Sequence, residues 1–263
     1  MLREAISSVD PSAPAGVSQA EWQLRVELAA AYRMVDHFGW TELIYAHLTA
    51  RVPGDDDHFL INRWGLNYDE VTASNLVRID VAGKAIDPPD APVNYAGFVI
   101  HSAIHMTRSA EAHVVMHTHT PAGMAVAALE DGLMPISMFA TAFHGERLAY
   151  HDYEGASLYL DERDRLVGSL GNAKAMILRN HGLLVVGRTV PECLLRLYRL
   201  ERACQVQLAA AAAGRLRVLP ERLAAKSGAD LDTFQAQLPE GEGRVEFEAL
   251  MRKLDRADPG YRS

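Results

Sequence analysis

The hydrophobic pattern of the first hundred residues predicts one helix followed by short strands and a second helix. Ser18 and Glu21 have the spacing of a capping box, and an apolar side follows until Gly39, which predicts a helix over this stretch. Short apolar segments separated by turn residues predict three strands, at 43–52, 58–62 and 76–83. Asn94 is expected to cap the next helix, which would run to about Arg108.

The middle of the chain predicts a strand, a helix and a less regular region. Residues 113–120 are rich in β-branched and apolar side chains, which favours a strand. Pro121 suits the first turn of a helix, and Gly132 is suited to end it. Residues 133–155 show no clear period and are interpreted as a strand with loops.

The next region predicts two helices around a pair of strands. A helix is predicted over 155–170, and apolar runs on both sides of a turn at 180–182 predict two strands. Thr189 and Glu192 form a capping box for a long helix that ends at Gly214.

The order of these elements predicts the fold class and the domain limits. Strands and helices are interspersed without βαβ periodicity, which favours a mixed three-layer α/β domain over a parallel sheet. The predicted domain spans 18–214. An N-terminal arm over 1–17 would precede it, and a helical extension over 215–263 would follow it.

Charge and composition exclude several classes of protein. The 263 residues include 26 Lys and Arg against 34 Asp and Glu, a net charge of −8, which argues against a nucleic acid or an anionic membrane as partner. No apolar run approaches the roughly 20 residues of a membrane span. The first residues lack the apolar core of a secretory signal. Because Cys193 and Cys204 are too few for a disulfide framework, we expect a cytoplasmic protein.

The sharpest chemical feature is His117-Thr118-His119 in a predicted strand. Side chains two apart on a strand share a face, so both imidazoles would lie within reach of one metal ion. Neutral imidazole suits Zn, Fe, Ni or Cu better than Mg or Ca. Two surface histidines would give the same pattern, so a third ligand is needed to decide.

Other histidines and one ionisable cluster are further candidates for the site. His181 lies at the tip of a predicted tight turn and would project from it. His101 and His105 are four apart on a predicted helix and share a face, but Ser102 stands where a zincin has its catalytic Glu. The segment 151–155 (HDYEG) is dense in ionisable groups, which a solvated loop would also explain.

Two motifs together resemble the class II aldolase/adducin family. HTHTPAGMAVAAL is followed about 60 residues later by LRNHGLLVVG, with the order and flanking strands of that family. The supporting segments are GWTELIYAHLTARV, WGLNYDEVTASNLVRID, YHDYEG and LYRLERACQVQ. The resemblance covers roughly 20–210 and is greatest to the bacterial adducin-type members.

The resemblance implies a fold, an assembly and a ligand set. The fold would be a three-layer α/β/α class II aldolase-like domain with a central, largely antiparallel β-sheet. The assembly would be a C4 homotetramer with active sites at the subunit interfaces. The metal ligands would be His117, His119 and His181, with Zn²⁺ the first choice and Fe²⁺, Mn²⁺ or Co²⁺ as alternatives.

Three family features are replaced in this sequence. The Glu that serves the fuculose-phosphate-type aldolases as base aligns at or near Gly97, and no acid lies between Asp90 and Glu111. Their phosphate-binding Gly-Asn-x-Ser segment aligns with 46–49, which reads Ala-His-Leu-Thr. Their proton-donating Tyr aligns near Phe139, which carries no proton. These replacements argue against cleavage of a sugar phosphate.

The remaining groups predict a metal-dependent carbon–carbon lyase. Three neutral histidines leave open coordination positions, so a bound metal would act as a Lewis acid and stabilise an enediolate. Decarboxylation needs no C–H abstraction, so it is slightly favoured over aldol cleavage for a small unphosphorylated oxo or hydroxy acid. The residues expected to supply or return a proton are His101, His47, Asp152 and Tyr153.

Two other functions remain open from the sequence. A few relatives of the family are non-haem iron oxygenases, and three histidines with open positions would also suit Fe²⁺ and dioxygen. The adducins provide a non-catalytic alternative, a binding or structural module. Their heads have lost the metal triad, so the presence of all three histidines here argues for an enzyme.

Overall fold

The computed structural model describes residues 12–107, 110–155 and 159–263, and an eight-stranded sheet runs through their centre. The strands are β1 His47–Arg51, β2 His58–Ile61, β3 Val77–Asp80, β4 Ala85–Asp87, β5 Val114–Thr118, β6 Leu148–His151, β7 Ala175–Leu178 and β8 Gly182–Gly187. Their order is β4-β3-β2-β1-β5-β8-β7-β6, and every described neighbouring pair is antiparallel except β6 and β7. The largely antiparallel sheet expected from the sequence is therefore confirmed.

Helices cover both faces of this sheet. The described helices are α1 Gln19–His37, α2 Tyr95–Met106, α3 Pro121–Ala127, α4 Met138–Thr141, α5 Glu162–Leu170, α6 Val190–Ala213, α7 Glu221–Ala236 and α8 Arg244–Ala257. Buried residues of α1, α6 and α8 form one apolar core with the sheet, and those of α2 and α5 form a second core on the opposite face. The three-layer α/β architecture is confirmed.

The alternation of side chains along β1 decides which face of the sheet carries polar chemistry. Leu48 and Ala50 belong to the core formed with α1 and α6. Thr49 has the opposite orientation and hydrogen-bonds to His101 of α2. His47 shares the face of Thr49 and is the register partner of His117 on β5. Polar groups of β1, β5 and α2 therefore meet on one face.

Two helix starts follow the predicted capping residues. The Ser18 hydroxyl accepts a hydrogen bond from the Glu21 N–H, and the Thr189 hydroxyl accepts one from the Glu192 N–H. The first helix ends at His37 and the long one at Ala213, just before the glycines that were expected to end them.

Other predicted boundaries were wrong for reasons that lie in the tertiary structure. The helix begun by Pro121 ends at Ala127, well before Gly132, because the Ala127 carbonyl accepts the N–H of Asn180 from the turn between β7 and β8. Residues 133–155 contain α4 as well as β6. The strand β4 was not predicted, since three residues carry no measurable period.

Several predictions fall partly on residues outside the described ranges. Residues 1–11 of the predicted arm, the predicted helix end at Arg108, and residues 156–158 of the predicted helix over 155–170 lie there. Within the described part, that last helix begins at Glu162. No helix among the described residues combines the length and hydrophobicity that a membrane crossing requires.

Candidate metal centre

Three histidines meet at one end of the central strands β5 and β8. His117 lies in β5, His119 follows that strand, and His181 lies in the turn between β7 and β8. The Nε2 atom of His119 is 2.7 Å from Nε2 of His117 and 3.0 Å from Nε2 of His181. The structure thus brings together the three residues that the sequence named as ligands.

The protonation of the triad leaves its nitrogens free to act as ligands. Nδ1 of His117 lies 2.8 Å from the Leu183 carbonyl oxygen and donates to it, so Nε2 of His117 carries a lone pair. Burial, together with His119 and His181, holds the pKa of His117 well below its ordinary value. Burial and the neighbouring His119 lower the pKa of His181 to about 4. These rings are therefore neutral at neutral pH, which is the form that binds metals.

The donor set fits a divalent metal ion. Three Nε2 atoms converge. A neutral imidazole has one N–H and one lone pair, so hydrogen bonds among the three rings cannot give every Nε2 atom a good partner. Ligands about 2.05 Å from a tetrahedral Zn²⁺ lie about 3.3 Å apart, a few tenths of an ångström more than the separations found here. No fourth His, Cys, Asp or Glu of the described ranges joins the cluster, which is typical of catalytic rather than structural sites.

The glycine of the predicted turn allows the triad to assemble. A Cβ atom on Gly182 would lie 2.4 Å from the Thr118 carbonyl oxygen, and 3.2 and 3.3 Å from the rings of His119 and His117. Asn180 takes a left-handed φ of 55°, which turns the chain between β7 and β8. The signal for Gly182 was its position directly after a candidate ligand.

A buried carboxylate supports the segment that follows His119. The Thr120 hydroxyl caps α3 by accepting the N–H of Gly123, and it donates to Glu201 of α6 at 2.5 Å. Burial raises the pKa of Glu201, although its hydrogen bonds to Thr120 and Gln205 oppose the rise. Thr120 and Glu201 were not predicted as site residues, since their spacing of 81 residues carries no sequence signal.

The triad opens into a cavity of about 340 Å³. Its walls come from the segment before β1, α2, the end of β5, α3, the region after β6 and the β7–β8 turn. The lining residues used below are Tyr45, Ala46, His47, Gly97, Tyr153 and Gly155. This volume is sufficient for a small organic substrate.

His47 lines the cavity and has an unusual environment. The ring is buried, and neither Nδ1 nor Nε2 has a hydrogen-bond partner among the described residues. Burial, reinforced by His119, lowers the pKa of His47 to about 3. The structure therefore places this predicted catalytic residue at the site as a neutral, unpaired imidazole.

His101 and His105 lie deeper than the cavity wall and share one hydroxyl. The Thr49 hydroxyl is 2.7 Å from Nδ1 of His101 and 2.8 Å from Nε2 of His105. Burial is the main cause of the lowered pKa of both rings. His101, predicted to be catalytic, is not among the cavity-lining residues; its ring centroid lies 5.9 Å from that of His47.

Gly97 is the position where the family resemblance placed an acidic base. It lies in the first turn of α2, and a Cβ atom there would be 2.2 Å from Nδ1 of His47. The imidazole therefore fills the space that a side chain at this position would need. The ring of His47 therefore leaves no room for an acidic side chain at position 97.

Of the two remaining residues that were predicted to be catalytic, only one lines the cavity. Tyr153 lines it and is 57% exposed, whereas Asp152 is exposed and is not among the lining residues. One acid that the sequence analysis did not name is exposed Glu42, whose charge opposes the burial-driven fall in the pKa of His119.

Comparisons with known proteins agree with this fold. Residues 26–208 match the model of the "Class II Aldolase and Adducin N-terminal domain". A crystal structure of an aldolase II superfamily protein from Pseudomonas syringae is 49% identical, with a TM-score of 0.85, over 94% of this chain and 98% of that one. L-fuculose 1-phosphate aldolase from Glaciozyma antarctica PI12 is 30% identical, with a TM-score of 0.78, over 96% and 97%.

Adducins are a second group of similar proteins. Alpha-adducin of Rattus norvegicus is 44% identical over 257 residues, which are 93% of this chain and 34% of that protein. The present chain thus spans about a third of the length of that adducin. By the family model and by these full-length structural relatives, the chain belongs to the class II aldolase and adducin family.

Proposed function

We propose that the protein is a metal-dependent carbon–carbon lyase for a small unphosphorylated oxo or hydroxy acid. The observation that carries the proposal is the convergence of three neutral histidine Nε2 atoms at a cavity of about 340 Å³. A divalent cation held by His117, His119 and His181 would supply Lewis acidity toward substrate oxygens. Zn²⁺ is the first choice for this ligand set, with Fe²⁺, Mn²⁺ and Co²⁺ as alternatives.

The side chains on the cavity wall suit decarboxylation better than proton abstraction from carbon. None of the described lining residues is an Asp or Glu, so no carboxylate base stands on the wall. When carbon dioxide leaves, the carbon that keeps the electron pair needs a proton. The phenol of Tyr153 is proposed to return it, because this group lines the cavity and has access to solvent for reprotonation.

The replacement of the family's phosphate-binding segment supports an unphosphorylated substrate. Residues 46–49 read Ala-His-Leu-Thr where the resemblance expects Gly-Asn-x-Ser, and two of them, Ala46 and His47, line the cavity. The fuculose-phosphate aldolase is named for a phosphorylated sugar, so the present chain is proposed to differ from it in substrate.

The first test is the metal content of purified protein, measured by elemental mass spectrometry. Wild type is expected to hold about one divalent ion per chain and His181→Ala to lose it. His144→Ala is the matched control, because His144 contacts Glu221 and is not among the cavity-lining residues. A full metal equivalent in His181→Ala would refute the ligand assignment.

The second test distinguishes the reaction classes. Loaded protein is incubated with 2-oxo and 2-hydroxy acids, and released carbon dioxide and aldehyde are measured under argon and in air. Product release that is equal under argon supports a lyase, whereas a requirement for dioxygen supports the iron oxygenase. The 44% identity to an adducin favours one other candidate, a binding module, which failure to take up any metal on reconstitution would support.

We also propose a homotetramer with sites at its interfaces. Large apolar side chains are exposed beside the cavity, among them Leu43, which is 73% exposed and lies two residues before the lining residue Tyr45. Size-exclusion chromatography with light scattering is expected to give the molar mass of four chains. A monomer at micromolar concentration would refute the assembly.

A further inference from the structure

The segment after β6, residues 152–155, lies outside the helices and strands and forms part of the cavity wall. Tyr153 and Gly155 line the cavity, whereas Glu154 between them does not. Fixing such a segment in one place costs conformational entropy, so it requires contacts that offset this cost. Two ionisable side chains of the HDYEG stretch, His151 and Glu154, make such contacts with α5.

Glu154 forms an ion pair with Arg165 of α5 that engages both carboxylate oxygens. Nε of Arg165 donates to Oε1 and to Oε2 of Glu154 at 2.9 Å, and Nη2 donates to Oε2 at 2.5 Å. These hydrogen bonds hold the pKa of the Glu154 carboxyl below its ordinary value, so the carboxylate is charged at neutral pH. Exposed ion pairs joined at a single point contribute little, but a planar guanidinium bound to both oxygens also fixes their geometry.

His151 holds the other end of the same segment. Its Nδ1 atom is 2.9 Å from the Ser169 hydroxyl of α5, and its Nε2 atom is 3.7 Å from Oε1 of Glu154. The two contacts with α5 are therefore made on either side of Tyr153 in the sequence.

The helix α5 is a firm support for both contacts. Leu166 and Leu170 are buried in the core that this helix shares with α2. Arg165 and Ser169 are four residues apart and thus lie on one face of α5. The position of the segment is therefore set by a helix that belongs to the folded core.

We propose that Glu154 and Arg165 are positioning residues, which hold the phenol of Tyr153 at the cavity of the three histidines. This inference rests on the proposed function, in which Tyr153 returns a proton to the substrate carbon. A proton donor must stay within reach of the reacting atom, and a segment fixed to α5 keeps it there. The ionisable groups of HDYEG then divide into one that faces the cavity and two that hold it in place.

Fluorine NMR of protein labelled with 3-fluorotyrosine measures this placement without any turnover. All nine tyrosines are labelled, and the Tyr153 signal is the one that Tyr153→Phe removes. With Co²⁺ bound in place of Zn²⁺, paramagnetic shifts fall steeply with distance, so the Tyr153 signal of the wild type is expected to shift strongly. Arg165→Met is expected to lose most of this shift. Arg165→Lys keeps the charge without the planar fork and is expected to retain only part of it.

Arg147→Met is the matched control. Arg147 forms a similar ion pair, in which Nε and Nη2 both lie 2.8 Å from Oδ2 of Asp232, and neither residue lines the cavity. The control is expected to keep the full cobalt-induced shift of Tyr153.

The outcomes separate this inference from the proposed function. An unchanged Tyr153 shift in Arg165→Met, with cobalt fully bound, overturns the inference and leaves the metal site intact. An equal loss in Arg147→Met also overturns it, because a general change of structure would then explain the result. A wild-type protein that binds no cobalt refutes the proposed function itself. If Arg165→Met does not fold, Glu154→Gln removes the charge from the other partner and is expected to show the same loss, and a full shift there overturns the inference.

Discussion

Replacement of Gly182 by Ala tests whether the strand-to-turn geometry, rather than the histidines alone, assembles the triad. The added Cβ would lie 2.4 Å from the Thr118 carbonyl oxygen, where an ordinary contact is about 3.4 Å. Since the obstacle is backbone in a paired strand, no side-chain rotation can relieve it. The start of β8 must therefore move away from β5 by about 1 Å.

The structure gives an approximate magnitude for two effects. Overpacking of this kind costs about 1–3 kcal/mol, which for a chain of this size lowers Tm by about 2–12 °C. The shift also moves His181 relative to His117 and His119. In the wild-type protein, Nε2 of His119 is 2.7 Å from Nε2 of His117 and 3.0 Å from Nε2 of His181. Because metal–ligand distances tolerate only about 0.2 Å, metal affinity is expected to fall along with stability.

The assay compares urea unfolding of metal-free protein and metal content of loaded protein for Gly182→Ala and Gly168→Ala. A Cβ on Gly168 of α5 meets no atom within 4 Å, so this control is expected to gain about 0.5–1 kcal/mol from the better helix propensity of Ala. Wild-type stability and metal content in Gly182→Ala would refute the steric reasoning.

Three further predictions concern neighbouring groups. Gly97→Ala is expected to destabilise the protein by about 1–3 kcal/mol, and His47→Ala is expected to relieve this loss. Urea unfolding of the double variant should therefore show a coupling energy above about 0.5 kcal/mol, and strictly additive changes in the free energy of unfolding would contradict the prediction. The pKa of buried His47 is about 3, whereas the ordinary pKa of a histidine is 6.5. As the pH falls, His47 is therefore protonated in the unfolded chain before it is protonated in the folded protein. Stability of metal-free protein is then lost as pH falls below about 6.5. His47→Asn should therefore show a shallower loss in urea titrations, and an equal slope would exclude His47 as a source. Thr120→Val removes the cap of α3 and should cost about 0.5–2 kcal/mol, measured in the same way; no loss would show that the cap is dispensable.

Much of the sheet and the ligand set could be predicted because their signals are local. His117 and His119 are two apart on a strand, and strand alternation alone places them on one face. Ser18 and Thr189 begin helices by hydrogen bonds that span three residues. The choice of His181 depended on resemblance, since nothing local joins it to residues more than 60 positions earlier.

The features that were missed depend on contacts between distant segments. The early end of α3 at Ala127 results from an N–H supplied by Asn180. Glu201 reaches Thr120 from another helix, and the exclusion of a side chain at Gly97 requires the ring of His47 from β1. His101 and Asp152 were named for their chemistry, and only the tertiary structure shows that neither lines the cavity.

The position of β5 at the centre of the sheet has a consequence for how the site opens. All five residues of this strand are buried, and it pairs with β1 on one side and β8 on the other. Its amide hydrogens are therefore expected to exchange with solvent only through global unfolding. Tyr45 and Tyr153, in contrast, line the cavity from segments outside the strands and are exposed. Ligands are therefore expected to reach the site past these exposed side chains, while the strand that carries His117 is among the last parts of the molecule to unfold.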